Sequence, residues 1–463
     1  MSGTAAPPAL ATGDRAARVL ERLHAVHPAG HDLTLDRIAN VLHRLGDPHL
    51  ALPPVLHVAG TNGKGSTVAA MRAILEADGK AVHVHTSPHL VHWHERFRIG
   101  RAGGGRLVED DALADALLRV ERANNGAAIT VFEIVTAAAF LLFAESPADA
   151  AIVEVGLGGR FDATNVIRAP AAAAVSAIGL DHQQWLGETH AAIAREKAGI
   201  FKRGRPAVIG HQPRSAARDT LIGEAERRGA LPVVAYGTDF MAHAEHGRMA
   251  WQTMGDGLAG GERDGGRLMD LPLPALAGRH QIANAALAIA TLRAAGMLPG
   301  ERAVAEGLRR IDWPGRMQPM PPGPLRALLP GDAEVWLDGG HNPSAAHAVA
   351  EALAGLEERR SRPLMLVAGL LTTKDAKRWF EAFSGLAAQA YTVPVPGTEA
   401  GHDPAALAGL AAGAGVSACP MADIPAAFRR IAAASEGDAP RVLLGGSLYL
   451  VGEALRRNET PPA

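Results

Sequence analysis

Gly60–Thr67 reads GTNGKGST, and these are the residue types that a triphosphate needs. Glycines let backbone N–H groups turn inward, a lysine reaches the outer phosphates, and hydroxyls serve the loop's end. The segment follows an apolar run, VLHVA (Val55–Ala59), and precedes a helical pattern at Thr67–Ala77. A helix N-terminus there adds a field that favours anions. The spacing departs from the usual phosphate loop. Only Thr61 and Asn62 separate Gly60 from Gly63, and Gly65 stands between Lys64 and Ser66. Three readings stay open on spacing alone: a damaged nucleotide site, a plain glycine turn, or another form of ATP loop.

Other chemistry-bearing residues are scattered. Glu154 ends the apolar run AAIVE just before a glycine loop, where a charge is costly unless a cation satisfies it. A salt bridge to Arg160 would serve as well as a metal. His182 sits in LDHQQWLG; imidazole is not magnesium's preferred donor, and a hydrogen-bonding loop histidine is the plainer reading. Lys197, beside Glu196, reads by itself as a surface ion pair. His83, His85, His89, His92 and His94 crowd one stretch and invite a zinc reading, but no acidic or cysteine ligand completes a set.

The elements that must position these groups follow from the apolar patterning. Continuous runs at Val55–Ala59, Ala81–His85, Ala151–Val155, Ala172–Ile178 and Ala207–Ile209 predict strands buried on both faces of a parallel sheet. Helical patterns lie between them at Asp110–Asn124, Phe132–Ala144 and Thr189–Ala198. Tyr236–Pro274 is glycine-rich and irregular, with a possible hairpin, and a helix is expected at His280–Ala295. The turn-rich Asp312–Pro324 marks a boundary. Beyond it strands are expected at Glu334–Asp338, Leu364–Leu370, Ala390–Val393 and Val442–Leu444. The expectation is an α/β protein. A large N-terminal P-loop ATPase-like domain with a mainly parallel sheet (1–312) precedes a smaller Rossmann-like α/β domain (313–463).

Composition excludes several classes. The 463 residues are 48% hydrophobic and 20% charged, with a net charge of −2, so no nucleic-acid surface is expected. One cysteine, Cys419, rules out an internal disulfide and suits a reducing cytoplasm. Neither a secretory signal nor a membrane span is legible, and the sequon Asn458-Glu459-Thr460 is read as chance.

Taken in order, GTNGKGST, HTSPHL (His85–Leu90), EVGLGGRFDATN (Glu154–Asn165), LDHQQWLG (Leu180–Gly187) and REKAGIFK (Arg195–Lys202) resemble the Mur ligase superfamily. HQIANA (His280–Ala285), WPGRMQ (Trp313–Gln318), LDGGHNP (Leu337–Pro343) and GSLYLVGEAL (Gly446–Leu455) continue the likeness. The nearest branch is that of the dihydrofolate synthases and folylpolyglutamate synthases. The resemblance implies ATP-dependent ligation of L-glutamate to 7,8-dihydropteroate and to reduced folates, through an acyl phosphate. It implies that Asn62, Gly63, Lys64, Gly65, Ser66 and Thr67 hold ATP together with Asn284, Arg316 and Asp338. Ser87, Glu154 and His182 are implied as metal residues for two Mg2+ ions. Lys64, His182 and Lys197 are implied as catalytic, Lys197 being the position at which the family carries a carbamate.

The acceptor side is implied at Thr130, Val131, Phe132 and Glu133, and at Phe161, Asp162 and Ala163. Val131 stands where an aromatic residue is frequent, and Phe161 where an aliphatic one is common, so Phe161 is a candidate for the displaced stacking. Trp93–Gly100 resembles a nearby substrate-side loop, and His341 has no role that the pattern assigns. The resemblance suggests a cytoplasmic monomer whose partners are small molecules. A folylpolyglutamate synthase alone, or a P-loop nucleotide switch without ligase activity, is the alternative.

Overall fold

The computed structural model describes residues 15–27, 34–254, 268–435 and 439–462. The reading of the N-terminal fourteen residues and of the glycine-rich 255–267 lies outside the described residues. The five expected runs become β1 (Val55–Ala59), β2 (Val82–His85), β5 (Ala150–Glu154), β6 (Ala172–Val175) and β7 (Ala207–Ile209), and three strands that were not expected join them: β3 (Phe97–Ile99), β4 (Arg106–Leu107) and β8 (Val233–Ala235). They form an eight-stranded sheet in the order β4-β3-β2-β5-β1-β6-β7-β8. From β2 across to β8 every pairing is parallel, while β3 and β4 add antiparallel at one edge.

Helices cover both faces, which is why these strands lack a polar alternation. Along β5, Ala150 and Ile152 face the Lys64–Ala77 and Arg279–Ala294 helices, whereas Ala151 and Val153 face Asp110–Asn124 and Val131–Ala144. Burying each Val, Leu or Ile in this way contributes roughly 1.5–3 kcal/mol. The run expected to continue to Ile178 leaves the sheet after Val175. Its backbone turns instead to brace the glycine loop: the Ala177 carbonyl accepts from the N–H groups of Thr61 and Asn62.

The irregular stretch holds more order than its glycines suggest. β9 (Phe240–Glu245), β10 (Arg248–Thr253) and β11 (Leu268–Pro272) form an antiparallel three-stranded sheet. The expected hairpin is β9–β10, turning at His246 and Gly247, both with positive φ. The sequence reading gave no place to β11. Phe240, Met249, Trp251, Met269 and Leu271 are all buried in one core with the Arg279–Ala294 helix.

A second sheet follows the turn. β12 (Gln318–Pro319), β13 (Glu334–Asp338), β14 (Leu364–Ala368), β15 (Ala387–Thr392), β16 (Ala418–Pro420) and β17 (Arg441–Gly445) run in the order β12-β13-β17-β14-β15-β16. All but the short β12 pair in parallel. The architecture is therefore α/β throughout. Among the described residues no helix is long and apolar enough to cross a membrane.

Candidate active site

The loops that leave the C-terminal ends of β1, β2, β5 and β6 meet, as they do wherever a parallel sheet binds a ligand at its carboxyl edge. The helix after β1 starts at Lys64, earlier than its apolar pattern suggests, with Gly63 before it at φ 88°. Each glycine of the loop is needed because something stands where a Cβ would be. Ser176 Oγ would lie 1.9 Å from a Cβ on Gly60, Asn284 Oδ1 2.2 Å from one on Gly63, and Trp313 Nε1 2.5 Å from one on Gly65. The extra glycine therefore makes room for the indole of the turn between the sheets.

The charges converge on one cavity of about 820 Å3, lined by the loop, Ser87, Glu154, His182, Lys197, Asn284, Arg316, Asp338 and His341. Lys64 Nζ donates to the carbonyls of Gly60 (3.1 Å) and Thr61 (3.3 Å) and lies 3.9 Å from Glu154 Oε1. Glu154 is only 4% exposed, and its Oε2 has no hydrogen-bond partner among the described residues. Burial pushes its carboxyl up, against the opposing pull of Lys64 and Arg316. Arg160 is not its partner: that guanidinium lies 4.7 Å over the Phe161 ring.

Lys197 is not a surface ion pair either. It is 5% exposed, and burial followed by repulsion from Lys64 pulls its ammonium down to about 7. His182, at φ 52°, lies on the wall between this cavity and a second one. Asn284 donates to Gln281 Oε1 (2.9 Å) while its Oδ1 abuts the glycine loop. Asp338 accepts from the N–H groups of Met317 (2.9 Å) and Gly340 (2.7 Å), and so ties the inter-sheet turn to the end of β13.

The second cavity, about 530 Å3, gathers Thr130–Glu133, Phe161–Ala163 and Arg96 with residues of both sheets. Thr130 and Glu133 form a capping box at the start of the Val131–Ala144 helix, and Glu133 also pairs with Arg37 at 3.1 Å. Their side chains are thus largely engaged in holding that helix. Such a cap stabilises by about 1 kcal/mol. Asp162 accepts from the N–H groups of Leu157 (2.8 Å) and Thr164 (3.0 Å), and from the Thr164 hydroxyl. Behind it His57, fully buried in β1, hydrogen-bonds the same hydroxyl at 2.8 Å. Phe161 is 37% exposed at the cavity mouth.

Across the cleft, Asp181 joins the two sheets. Its carboxylate accepts from Lys374 Nζ, from Asn342 Nδ2 (3.3 Å) and from His341 Nε2 (3.2 Å). Burial alone would raise this carboxyl; the hydrogen bond and charge of His341, with Lys374, hold it well below the usual carboxylate range. Asn342 pairs amide to amide with Asn62 of the glycine loop, at 2.9 and 3.2 Å.

Residues 58–292 match the Mur ligase middle domain, and residues 315–448 match the Mur ligase, glutamate ligase domain. The chain belongs to the Mur ligase family. The dihydrofolate synthase/folylpolyglutamate synthase of Escherichia coli is 34% identical over 82% of this chain and 81% of its own length. A probable bifunctional folylpolyglutamate synthase/dihydropteroate synthase of Halobacterium salinarum is 35% identical over 96% of this chain, which spans 51% of that longer protein. Among solved structures, Escherichia coli FolC in complex with DHPP and ADP matches with a TM-score of 0.81 at 31% identity, covering 97% of this chain and 98% of that one. A bifunctional folylpolyglutamate synthase/dihydrofolate synthase with Mn, AMPPNP and L-glutamate bound matches with a TM-score of 0.78 at 31% identity, covering 97% and 99%.

In this Mur ligase the residues expected at the nucleotide line one cavity, except Thr67, which is fully buried and donates its hydroxyl to the Gly63 carbonyl, and those expected at the acceptor line the other. Sequence reasoning missed Asp181, Lys374, Asn342 and Arg96. Asp181 stands next to His182 in a motif already singled out, and its neighbourhood was the one signal available. The crowded histidines divide among separate partners: His83 with the Ser146 carbonyl, His85 with the Arg96 carbonyl, and His89 with the Arg96 side chain.

Proposed function

We propose that this Mur ligase joins L-glutamate to 7,8-dihydropteroate and to reduced folates, using ATP and passing through an acyl phosphate. One observation carries the reading. The two cavities share a wall made of Ser87, Pro88, Gly156, Leu157, His182, His341 and Leu448, so a phosphate in one and a carboxylate in the other would meet there. Lys64 places positive charge at the outer phosphates. An acceptor carboxylate oxygen attacks the γ-phosphorus, the bond to the bridging oxygen breaks, and ADP leaves with that electron pair. The glutamate amine then attacks the acyl carbon, a proton is lost, and inorganic phosphate departs. Positioning and charge neutralisation supply most of the rate.

The buried, unpartnered Oε2 of Glu154 suits a hard divalent cation, which takes oxygen donors. Ser87 and His182 line the same cavity, and in this reading the three residues serve two Mg2+ ions. Bound Mg2+ would neutralise charge on the transferring phosphoryl group. Arg316 reaches the same cavity from the inter-sheet turn and pairs with phosphate, while Asn284 and Asp338 flank the nucleotide. In this reading the chain divides at 312/313, the second sheet belongs to a closing domain, and the protein works as a cytoplasmic monomer.

Lys197 carries a carbamate in this reading. Only a neutral amine reacts with CO2, and a group titrating near 7 is substantially neutral where an ordinary lysine is not. The neutral fraction grows as pH rises through about 7. Carbon NMR with isotope-labelled CO2 at fixed pressure should therefore show a carbamate signal that grows across that range and is absent from Lys197→Ala. Its absence from the native enzyme would remove the carbamate.

Phe161 supplies aromatic contact to the pterin in place of residue 131. Phe161→Ala is expected to weaken pteroate binding about 3- to 10-fold; unchanged affinity would sink that role. The function itself is tested with Mg-ATP, L-glutamate and either 7,8-dihydropteroate or tetrahydrofolate, following ADP release and product mass. Glutamylated product from both is expected. Product from tetrahydrofolate alone would narrow the enzyme to a folylpolyglutamate synthase, and product from neither would overturn the reading.

A further inference from the structure

Arg96 lines the second cavity and is the one arginine or lysine there, among the described residues, without an acidic partner. Arg37 is paired with Glu133, and Lys374 with Asp181. Glu95, its neighbour in sequence, is occupied by the N–H groups of Leu90 (2.7 Å), Val91 (2.8 Å) and His92 (2.6 Å). No carboxylate of the described residues lies within 4.0 Å of the Arg96 guanidinium.

The guanidinium is nevertheless held still. Its Nε donates to His89 Nδ1 at 2.9 Å, and its carbon lies 4.3 Å above the centroid of the buried Trp93 ring. The His89 and Trp93 rings pack on each other with centroids 4.6 Å apart. A histidine that accepts from an arginine must be neutral at that nitrogen, so the support adds no competing anion. With one face on an indole and Nε engaged, the edge that carries both terminal NH2 groups has no hydrogen-bond or ion-pair partner among the described residues. That edge is the fork that matches a carboxylate. Burial draws the group down to about 10, so it is charged at neutral pH yet poorly solvated, the state in which an incoming anion is most strongly welcomed. Its backbone is fixed too, since the Arg96 carbonyl accepts from Thr86 N–H (3.2 Å) and His85 Nδ1 (3.0 Å), just before Ser87 of the shared wall.

We propose that Arg96 receives the carboxylate of the acceptor, the group that becomes phosphorylated, in a bidentate pair at the inner end of the second cavity. The assignment rests on the acceptor being a pterin-bearing carboxylic acid, as proposed above. His89 and Trp93 are positioning residues that act through the guanidinium.

The test compares two ligands by calorimetry: 7,8-dihydropteroate, and the same molecule with hydrogen in place of the carboxylate, 7,8-dihydro-6-(anilinomethyl)pterin. The native enzyme should bind the acid more tightly. Arg96→Gln should weaken binding of the acid by about 10- to 100-fold and leave the decarboxylated ligand unchanged. Arg96→Lys should restore part of the loss, because it keeps the charge but not the fork. Equal weakening of both ligands would make Arg96 a packing residue, and unchanged binding of the acid would remove it from the site; either result overturns the proposal. Native enzyme that binds neither ligand would overturn the acceptor reading, and this assignment with it.

Discussion

Replacing Glu154 with glutamine is expected to move activity and stability in opposite directions. The carboxylate is buried, its Oε2 has no partner, and its nearest cation, Lys64, stands 3.9 Å away. Such a charge lowers stability until a cation or phosphate-bound metal satisfies it. Glutamine keeps the shape, removes the charge and should raise unfolding stability by about 1–3 kcal/mol. It cannot offer a hard anionic oxygen to the metal and phosphate of the proposed reaction, so turnover should fall about 100- to 1,000-fold. The pH dependence has a definite sign. Burial raises the folded-state carboxyl above its unfolded value, so stability at this position falls as pH rises through the ordinary carboxylate range, and the glutamine variant should lose that dependence. Thermal unfolding and ADP release measured on the same preparations check both halves. A variant both less stable and fully active would contradict the assignment.

The second large effect is expected at Asp181. Asp181→Asn leaves Lys374 and His341 facing a neutral amide inside the cleft, where an uncompensated buried charge costs about 3–5 kcal/mol. The same residue touches Asn342, whose amide is paired with Asn62 of the glycine loop. Loss of the carboxylate should therefore loosen the second sheet from the loop without disturbing either core. A misplacement of about 1 Å at a reacting centre can cost about 100-fold, and turnover should drop by at least that much. Small-angle scattering should show a more open particle with unchanged helix and strand content. Combining the change with Lys374→Met should give a coupling of about 0.5–3 kcal/mol, and strict additivity would deny the contact its role. Because this carboxyl is held well below its ordinary value of about 3.9, the clamp is fully present above that pH and is lost only in stronger acid.

These two residues differ in how visible they were beforehand. Glu154 announced itself, because a lone carboxylate at the end of an apolar run raises the question of what satisfies it. Asp181 did not, because its partner Lys374 is 193 positions away and neither residue sits in a locally unusual setting. The segment expected at the acceptor shows a mixed outcome. Thr130 and Glu133 line the second cavity, yet their side chains close a helix cap, a pattern that the spacing T-x-x-E also encodes. Arg96 was passed over because nothing in WHERFRIG reveals that Glu95 is taken by backbone and His89 is folded under the guanidinium.

Residue types and short spacings were enough for the α/β class, the buried parallel strands and the glycine-rich turn from strand to helix at Gly60–Thr67. All of these depend on chain-local physics: apolar period, helix starts, and the small residues a tight turn needs. The chain left unwritten which distant groups meet. Gly65 is a glycine because Trp313 occupies the space of its Cβ, and Asn62 faces Asn342 across 280 positions. The partnering of Asp181 and the free edge of Arg96 arise in the same way. Pairings of that kind depend on how the two sheets stack and which loops their carboxyl edges bring together, and tertiary packing alone sets that geometry.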